Sequence, residues 1–153
     1  MCRFKEIKCG WEISAHNVPV TLLLNKSEKY ARVKYRWIAL WKRKHDDGKV
    51  QEIKISVPKD FRTDGNSIPK WLYWLGQKWG VSAPAAVVHD KNYHDCTWTR
   101  EDADKCFYDM CLELGVSKWK ASMMYRGLRA FGWMHWKPQE DREQTHVNHI
   151  ERA

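Results

Sequence analysis

From Tyr30 to Trp41 the chain alternates, with Val33, Tyr35 and Trp37 on one side and Arg32, Lys34 and Arg36 on the other. A period of two predicts a strand with one buried face. The alternation resumes from Val50 to Val57, where Ile53, Ile55 and Val57 point inward and Glu52, Lys54 and Ser56 outward. His45-Asp46-Asp47-Gly48 between them is a turn, since Asp-Gly accepts the positive φ that hairpins need. Pro58 closes the hairpin, and Val18–Leu24 reads as a further short strand. The polar stretch Phe61–Pro69 is a turn that presents side-chain and backbone oxygens together, and Trp71–Trp79 predicts a short aromatic helix.

From Ser82 onward the apolar spacing becomes helical. One helix is expected from an N-cap at Ser82 to about Asp95, with Pro84 tolerated in its first turn. A second runs from Thr99 to Leu114 on the stripe Phe107, Met110, Cys111 and Leu114, and Gly115 stops it. A third follows Ser117, carries Trp119, Met123, Met124, Leu128 and Phe131, and ends at Gly132. Met123 and Met124 read as core packing. The expected fold is one α+β domain over residues 1–137. Residues 1–60 form its β-rich antiparallel part, and 61–137 form a metal loop and three helices. Residues 138–153 read as a polar tail.

At 153 residues the chain can bury a core without staples. Its five cysteines contain no Cys-x-x-Cys pair, which argues against a disulfide framework or a cysteine-rich zinc site. No apolar run approaches the ~20 residues that span a bilayer. The first ten residues lack the apolar stretch and cleavage site of a secretory signal. A reduced chain made in a host cytoplasm is expected. Net charge is +8, with 27 basic against 19 acidic residues, and there are 10 tryptophans. Basic charge favours an anionic partner, and tryptophan favours interfaces where an apolar ring and a polar N–H are both served. An anionic membrane surface and a nucleic acid both meet that description. So does a basic domain that keeps its aromatics in its core.

The candidate chemistry lies in His89-Asp90-Lys91-Asn92-Tyr93-His94-Asp95. On a helix His89 and Tyr93 share a face, as do Asp90 and His94. The apolar approach Ala85–Val88 carries this polar cluster into the core, where polar groups need partners. A short loop at Cys96–Trp98 returns the next helix antiparallel and brings Asp104 to the depth of His89. A carboxylate on one imidazole nitrogen fixes the tautomer and leaves the other nitrogen as a base. Asp64 and the Gly65 carbonyl can approach Asp90 from the preceding loop, and such oxygens suit Ca²⁺ better than zinc. A lone His-Asp pair on a helix is ordinarily a surface pair or a satisfied core hydrogen bond. It is the set His89, Asp90, Tyr93 and Asp104, with the Thr63-Asp64-Gly65 turn upstream, that favours a site. His94 and Asp95 read as solvated. His135, His146 and His149 read as adventitious histidines.

Three motifs then bear on family. They are Phe61-x-Thr63-Asp64-Gly65-x-Ser67-Ile68-Pro69, His89-Asp90-x-x-Tyr93, and Arg100-x-x-x-Asp104-x-x-Phe107. Together they cover about half the chain, and they resemble a phage and prophage family of unknown function. More distantly, the order of Thr63-Asp64, His89-Asp90 with Tyr93, Asp104 with Phe107, and Phe131-Gly132 resembles the small secreted bacterial and fungal phospholipases A2. That resemblance implies a three-helix phospholipase A2-like core. It makes His89 the general base, Asp104 its orienting carboxylate and Tyr93 a buttress, with Ca²⁺ held by Asp64, the Gly65 carbonyl and Asp90. A backbone N–H near Gly65 or Asn66 would add to the stabilisation of the oxyanion. The phospholipases are exported and disulfide-bonded, and the β-rich first 60 residues have no counterpart in them.

Three function classes follow. The first is a calcium-assisted acyl-ester hydrolase on anionic phospholipid, associated with a phage particle or lysis. The second is a non-catalytic phage structural or host-interaction protein on the same scaffold. The third, ranked last, is a metal-dependent nuclease or phosphodiesterase, for which the basic charge is equally apt.

Overall fold

The computed structural model describes residues 4–64 and 79–136. Among the described residues six strands precede three helices: β1 (Lys5–Cys9), β2 (Val20–Leu24), β3 (Ala31–Val33), β4 (Trp37–Lys44), β5 (Val50–Val57), β6 (Arg62–Thr63), α1 (Ala83–Asp95), α2 (Arg100–Glu113) and α3 (Lys118–Phe131). The fold is α+β, an N-terminal antiparallel sheet followed by three helices. β1, β2, β3 and β6 form one sheet in that order, and β4–β5 form a separate hairpin. A bridge between Ser14 and Ala39 links the chain after β1 to the hairpin.

The alternating stretch Tyr30–Trp41 is two strands rather than one. After Val33 the chain leaves the first sheet, and at Trp37 it enters the second. The Val33 carbonyl accepts from Asp60 N at 2.7 Å, and Lys34 N donates to the Thr21 carbonyl at 2.8 Å. These bonds hold the bend. Val33 and Trp37 are buried as the alternation predicts, but Tyr35 in the bend is 59% exposed. The hairpin register pairs Trp37 with Val57 and Trp41 with Ile53. Its inner face of Trp37, Ala39, Trp41, Ile53, Ile55 and Val57 is buried. Trp41 sits in the core, and its Nε1 donates to Asp109 on α2 at 3.0 Å. Truncating a buried ring of this size typically costs about 3–5 kcal/mol.

The helices begin and end close to where the sequence puts them. Thr99 caps α2, its Oγ1 accepting from Asp102 N at 3.1 Å. Ser82 and Ser117 occupy the equivalent positions of α1 and α3 without a side-chain cap bond. α3 buries Ala121, Met124 and Leu128, and Met123 packs partly against the core. Trp119 and Phe131, which α3 also carries, are exposed. They lie off the face that α3 turns toward α2.

α1 is the central element. Every residue from Ala83 to His89 is buried, so it is enclosed on all sides over its first two turns. Close approach is built in at Gly10, which has φ +82° and whose added Cβ would lie 2.8 Å from Pro84 Cβ. α1 packs on α2, and α2 on α3. Cys9, Cys106 and Cys111 are free thiols, the last two buried. Among the described residues no helix is long and apolar enough to cross a membrane. The expected Trp71–Trp79 helix except for Trp79 itself, most of the Phe61–Pro69 turn including Gly65 and Asn66, and the tail from Pro138 fall outside the described residues.

Candidate functional site

Six apolar or small residues at the start of α1 deliver His89 to the core, where it is 4% exposed. Its Nε2 stands 2.8 Å from Asp104 Oδ1 on the antiparallel helix α2. The ring stacks at 4.1 Å on Tyr93, one turn further along α1, and meets the edge of Phe107 at 5.5 Å. Tyr93 Oη donates to the same Asp104 oxygen at 2.5 Å. Burial and that bond to a carboxylate push the Tyr93 hydroxyl well above its usual range, so it stays protonated as a donor.

Asp104 is fully buried and contacted from all three helices. Its second oxygen accepts from Arg129 Nη1 on α3 at 3.0 Å, with Arg100 Nη1 at 3.7 Å. Burial alone would raise this carboxyl. Hydrogen bonds from His89, Tyr93 and Arg129 outweigh it and hold Asp104 below the usual carboxylate range. An ionised Asp104 has only lone pairs to offer, so His89 Nε2 carries the proton and donates. Nδ1 is then the nitrogen with a free lone pair, and it makes no hydrogen bond among the described residues. A buried imidazole with a fixed tautomer and an unused Nδ1 is equipped to accept a proton.

A second polar cluster lies beside the first. β6 sets Thr63 against α1, and its hydroxyl donates to Asp90 Oδ2. Asp64 follows Thr63, and its carboxylate faces that of Asp90. Burial first, and the Asp64 charge second, push the Asp90 carboxyl up to about 7. Two carboxylates share one place, and neither is ion-paired to a Lys or Arg among the described residues. Hard, oxygen-only donors of this kind fit a calcium-like cation. Among the described residues no group of three or more His, Cys, Asp or Glu is placed to hold a metal. The predicted third donor, the Gly65 carbonyl, lies outside the described residues.

Five of the six predicted site residues therefore come together: His89, Tyr93 and Asp104 in one cluster, Asp64 and Asp90 in the other. His94 stays outside, exposed and bonded to Asp95 at 3.1 Å. Sequence reasoning placed Thr63 and Arg100 in the motifs without giving either a role, and it missed Arg129. Arg100 and Asp104 are four apart on a helix, a spacing that signals their contact. No local signal marks Arg129, whose contact with Asp104 exists only once α3 has packed. Clefts of about 300 Å³ beside Trp41 and Asp109, and about 510 Å³ beside Arg43 and Tyr125, contain none of the candidate residues.

The proteins of unknown function grouped as DUF1353 match residues 42–128, and the chain belongs to that family. An uncharacterized protein, y4iH, of Sinorhizobium fredii is 37% identical over 78 residues, which are 48% of this chain and 32% of that protein. The chain thus spans about a third of that relative's length. No solved structure matches this chain.

Proposed function

We propose that this member of the DUF1353 family is a phospholipase A2-type hydrolase that cleaves a lipid acyl ester with His89 as its general base. The observation that carries the reading is the buried His89–Asp104 pair, buttressed by Tyr93 and set beside the Asp64–Asp90 carboxylates. In this mechanism His89 Nδ1 takes a proton from a water molecule as that water attacks the ester carbonyl. Asp104 keeps Nε2 protonated and stabilises the imidazolium that forms. The proton then passes from Nδ1 to the departing alkoxide, which returns His89 to its starting tautomer. Asp64, the Gly65 carbonyl and Asp90 would hold calcium, which when bound would supply a Lewis acid for the ester carbonyl and the charge developing on its oxygen. Thr63 fixes the Asp90 carboxylate through its hydroxyl, leaving the other oxygen for the cation. An anionic phospholipid surface is the partner, and a phage particle or a released phage product is the setting in which such an enzyme would meet calcium.

One observation favours a second reading. The Asp104 oxygen that does not face His89 is saturated by Arg129 and approached by Arg100, as it would be in a structural tie among three helices. On that reading the chain is a non-catalytic structural or host-interaction protein. The test is hydrolysis of phosphatidylglycerol vesicles by wild type and His89→Ala, with calcium or chelator, beside an assay on DNA. Calcium-dependent ester cleavage that disappears in His89→Ala supports the hydrolase. An inert wild type with a destabilised variant supports the scaffold, and cleavage of DNA alone supports a nuclease.

A further inference from the structure

From Leu114 to Trp136 the chain contains no Asp or Glu and carries Lys118, Lys120, Arg126 and Arg129. α2, just before it, holds Glu101, Asp102, Asp104, Asp109 and Glu113. Among the four cations only Arg129 is ion-paired, with Asp104; Lys118, Lys120 and Arg126 make no ion pair among the described residues. α3 turns Ala121, Met124 and Leu128 inward. At 100° per residue Trp119, Arg126 and Ala130 stand on the opposite side. Trp119 is 54% exposed, and past the end of the helix Trp133 is 65% and Met134 54% exposed in a single 3-10 turn.

Exposed indoles and a thioether beside cations that make no ion pair among the described residues match a lipid–water boundary. There the cations meet phosphate headgroups while the indoles and the thioether enter the acyl margin. Nucleic acid would satisfy the cations, but Met134 offers it no plane for stacking. Location adds to the case. The ring of Trp136 meets Tyr93 edge-on at 5.0 Å, an added Cβ on Gly132 would lie 2.5 Å from Tyr93 Oη, and Arg129 holds Asp104. The cationic aromatic face is thus the outer side of the elements that close the His89 cluster.

We propose that the outer face of α3 and its terminal turn, built on Lys118, Arg126, Trp133 and Met134, adsorbs to anionic phospholipid bilayers and seats the His89 cluster next to the lipid. The inference rests on the lipid-hydrolase reading, so its test separates adsorption from hydrolysis. The full chain in chelator is sedimented with phosphatidylglycerol or phosphatidylcholine vesicles, while its tryptophan emission is followed. Wild type, Trp133→Ala/Met134→Ala and Lys118→Glu/Arg126→Glu are compared, each checked by thermal melting. Wild type is expected to bind phosphatidylglycerol at least tenfold more tightly than phosphatidylcholine, with a blue shift. Each double variant is expected to lose at least tenfold in binding while melting like wild type. Undiminished binding by both variants, no binding by wild type, or binding to DNA in preference to vesicles overturns the proposal. Cleavage of a short-chain phospholipid dissolved as monomers, measured with calcium, reports on the hydrolase alone. Vesicle binding without that cleavage sinks the proposed function and leaves the docking face standing.

Discussion

Asp90→Asn isolates the electrostatic cost of the candidate metal cluster. In the folded protein burial and then Asp64 push the Asp90 carboxyl from an ordinary value of 3.8 up to about 7. Because the folded value is the higher one, the unfolded chain gives up its proton first as pH rises. Stability without metal therefore falls between about pH 4 and pH 7 and levels off above that. The gap of about three pH units, at roughly 1.4 kcal/mol each, sets a ceiling near 4 kcal/mol. Asp90 keeps part of its surface in water, and solvent screening reduces the expected effect to about 2 kcal/mol. Asparagine has the same shape and no proton to lose. Its Oδ1 can still accept from the Thr63 hydroxyl, and its Nδ2 can donate toward Asp64. In chelator at pH 8 the variant should thus be more stable than wild type, with the two converging near pH 4. Millimolar calcium should reverse the order, since a cation at 100 times its Kd adds about 2.7 kcal/mol to the form that binds it. Urea melts at pH 4, 6 and 8, with calcium or chelator, read both effects. A variant less stable than wild type in chelator at pH 8, or one keeping the wild-type pH slope, would refute the argument.

Other substitutions probe the first cluster. If His89 is the base, His89→Ala should lower ester hydrolysis by about 10²–10⁴-fold, about 3–5 kcal/mol of barrier, with little change in melting. Gly132→Ala pushes a methyl group against Tyr93 Oη, and an overpacking cost of about 1–3 kcal/mol should appear in urea melts. Arg129→Ala removes a donor from the buried Asp104 carboxylate and should cost roughly 1–3 kcal/mol, whereas Arg126→Ala on the exposed side should cost less than about 0.5.

The helices were legible because each carries its own local signals. Thr99 and Gly115 bracket α2, and the apolar spacing of α1 and α2 survives packing unchanged. The His89–Asp104 contact was legible for the same reason: a short loop forces α2 back along α1, and helical phasing does the rest. The strands were read less well. β1 is Lys-Glu-Ile-Lys-Cys, with two apolar positions at most, and becomes a strand only because the buried β2 offers it a free edge. The break at Lys34–Arg36 is invisible in an alternation that continues through it, because a change of sheet is a tertiary event. α3 shows the limit of periodicity. Its apolar residues outnumber the positions its inner face can take, and periodicity alone does not say that Trp119 is the one left exposed.

Arg100 donates to the Leu128 and Arg129 carbonyls at the end of α3 as well as approaching Asp104. It thereby fastens the last turn of one helix to the carboxylate that organises the other two. Fraying of α3 from its C-terminal end must break these bonds and pull the Arg129 guanidinium off the fully buried Asp104, which makes partial opening nearly as costly as complete opening. Amide hydrogens at the end of α3 should therefore exchange as slowly as those in the middle of α1, whereas helix ends normally exchange fastest. The three helices would come apart as one cooperative unit, and no population with a loosened α3 and an intact His89 pair would accumulate.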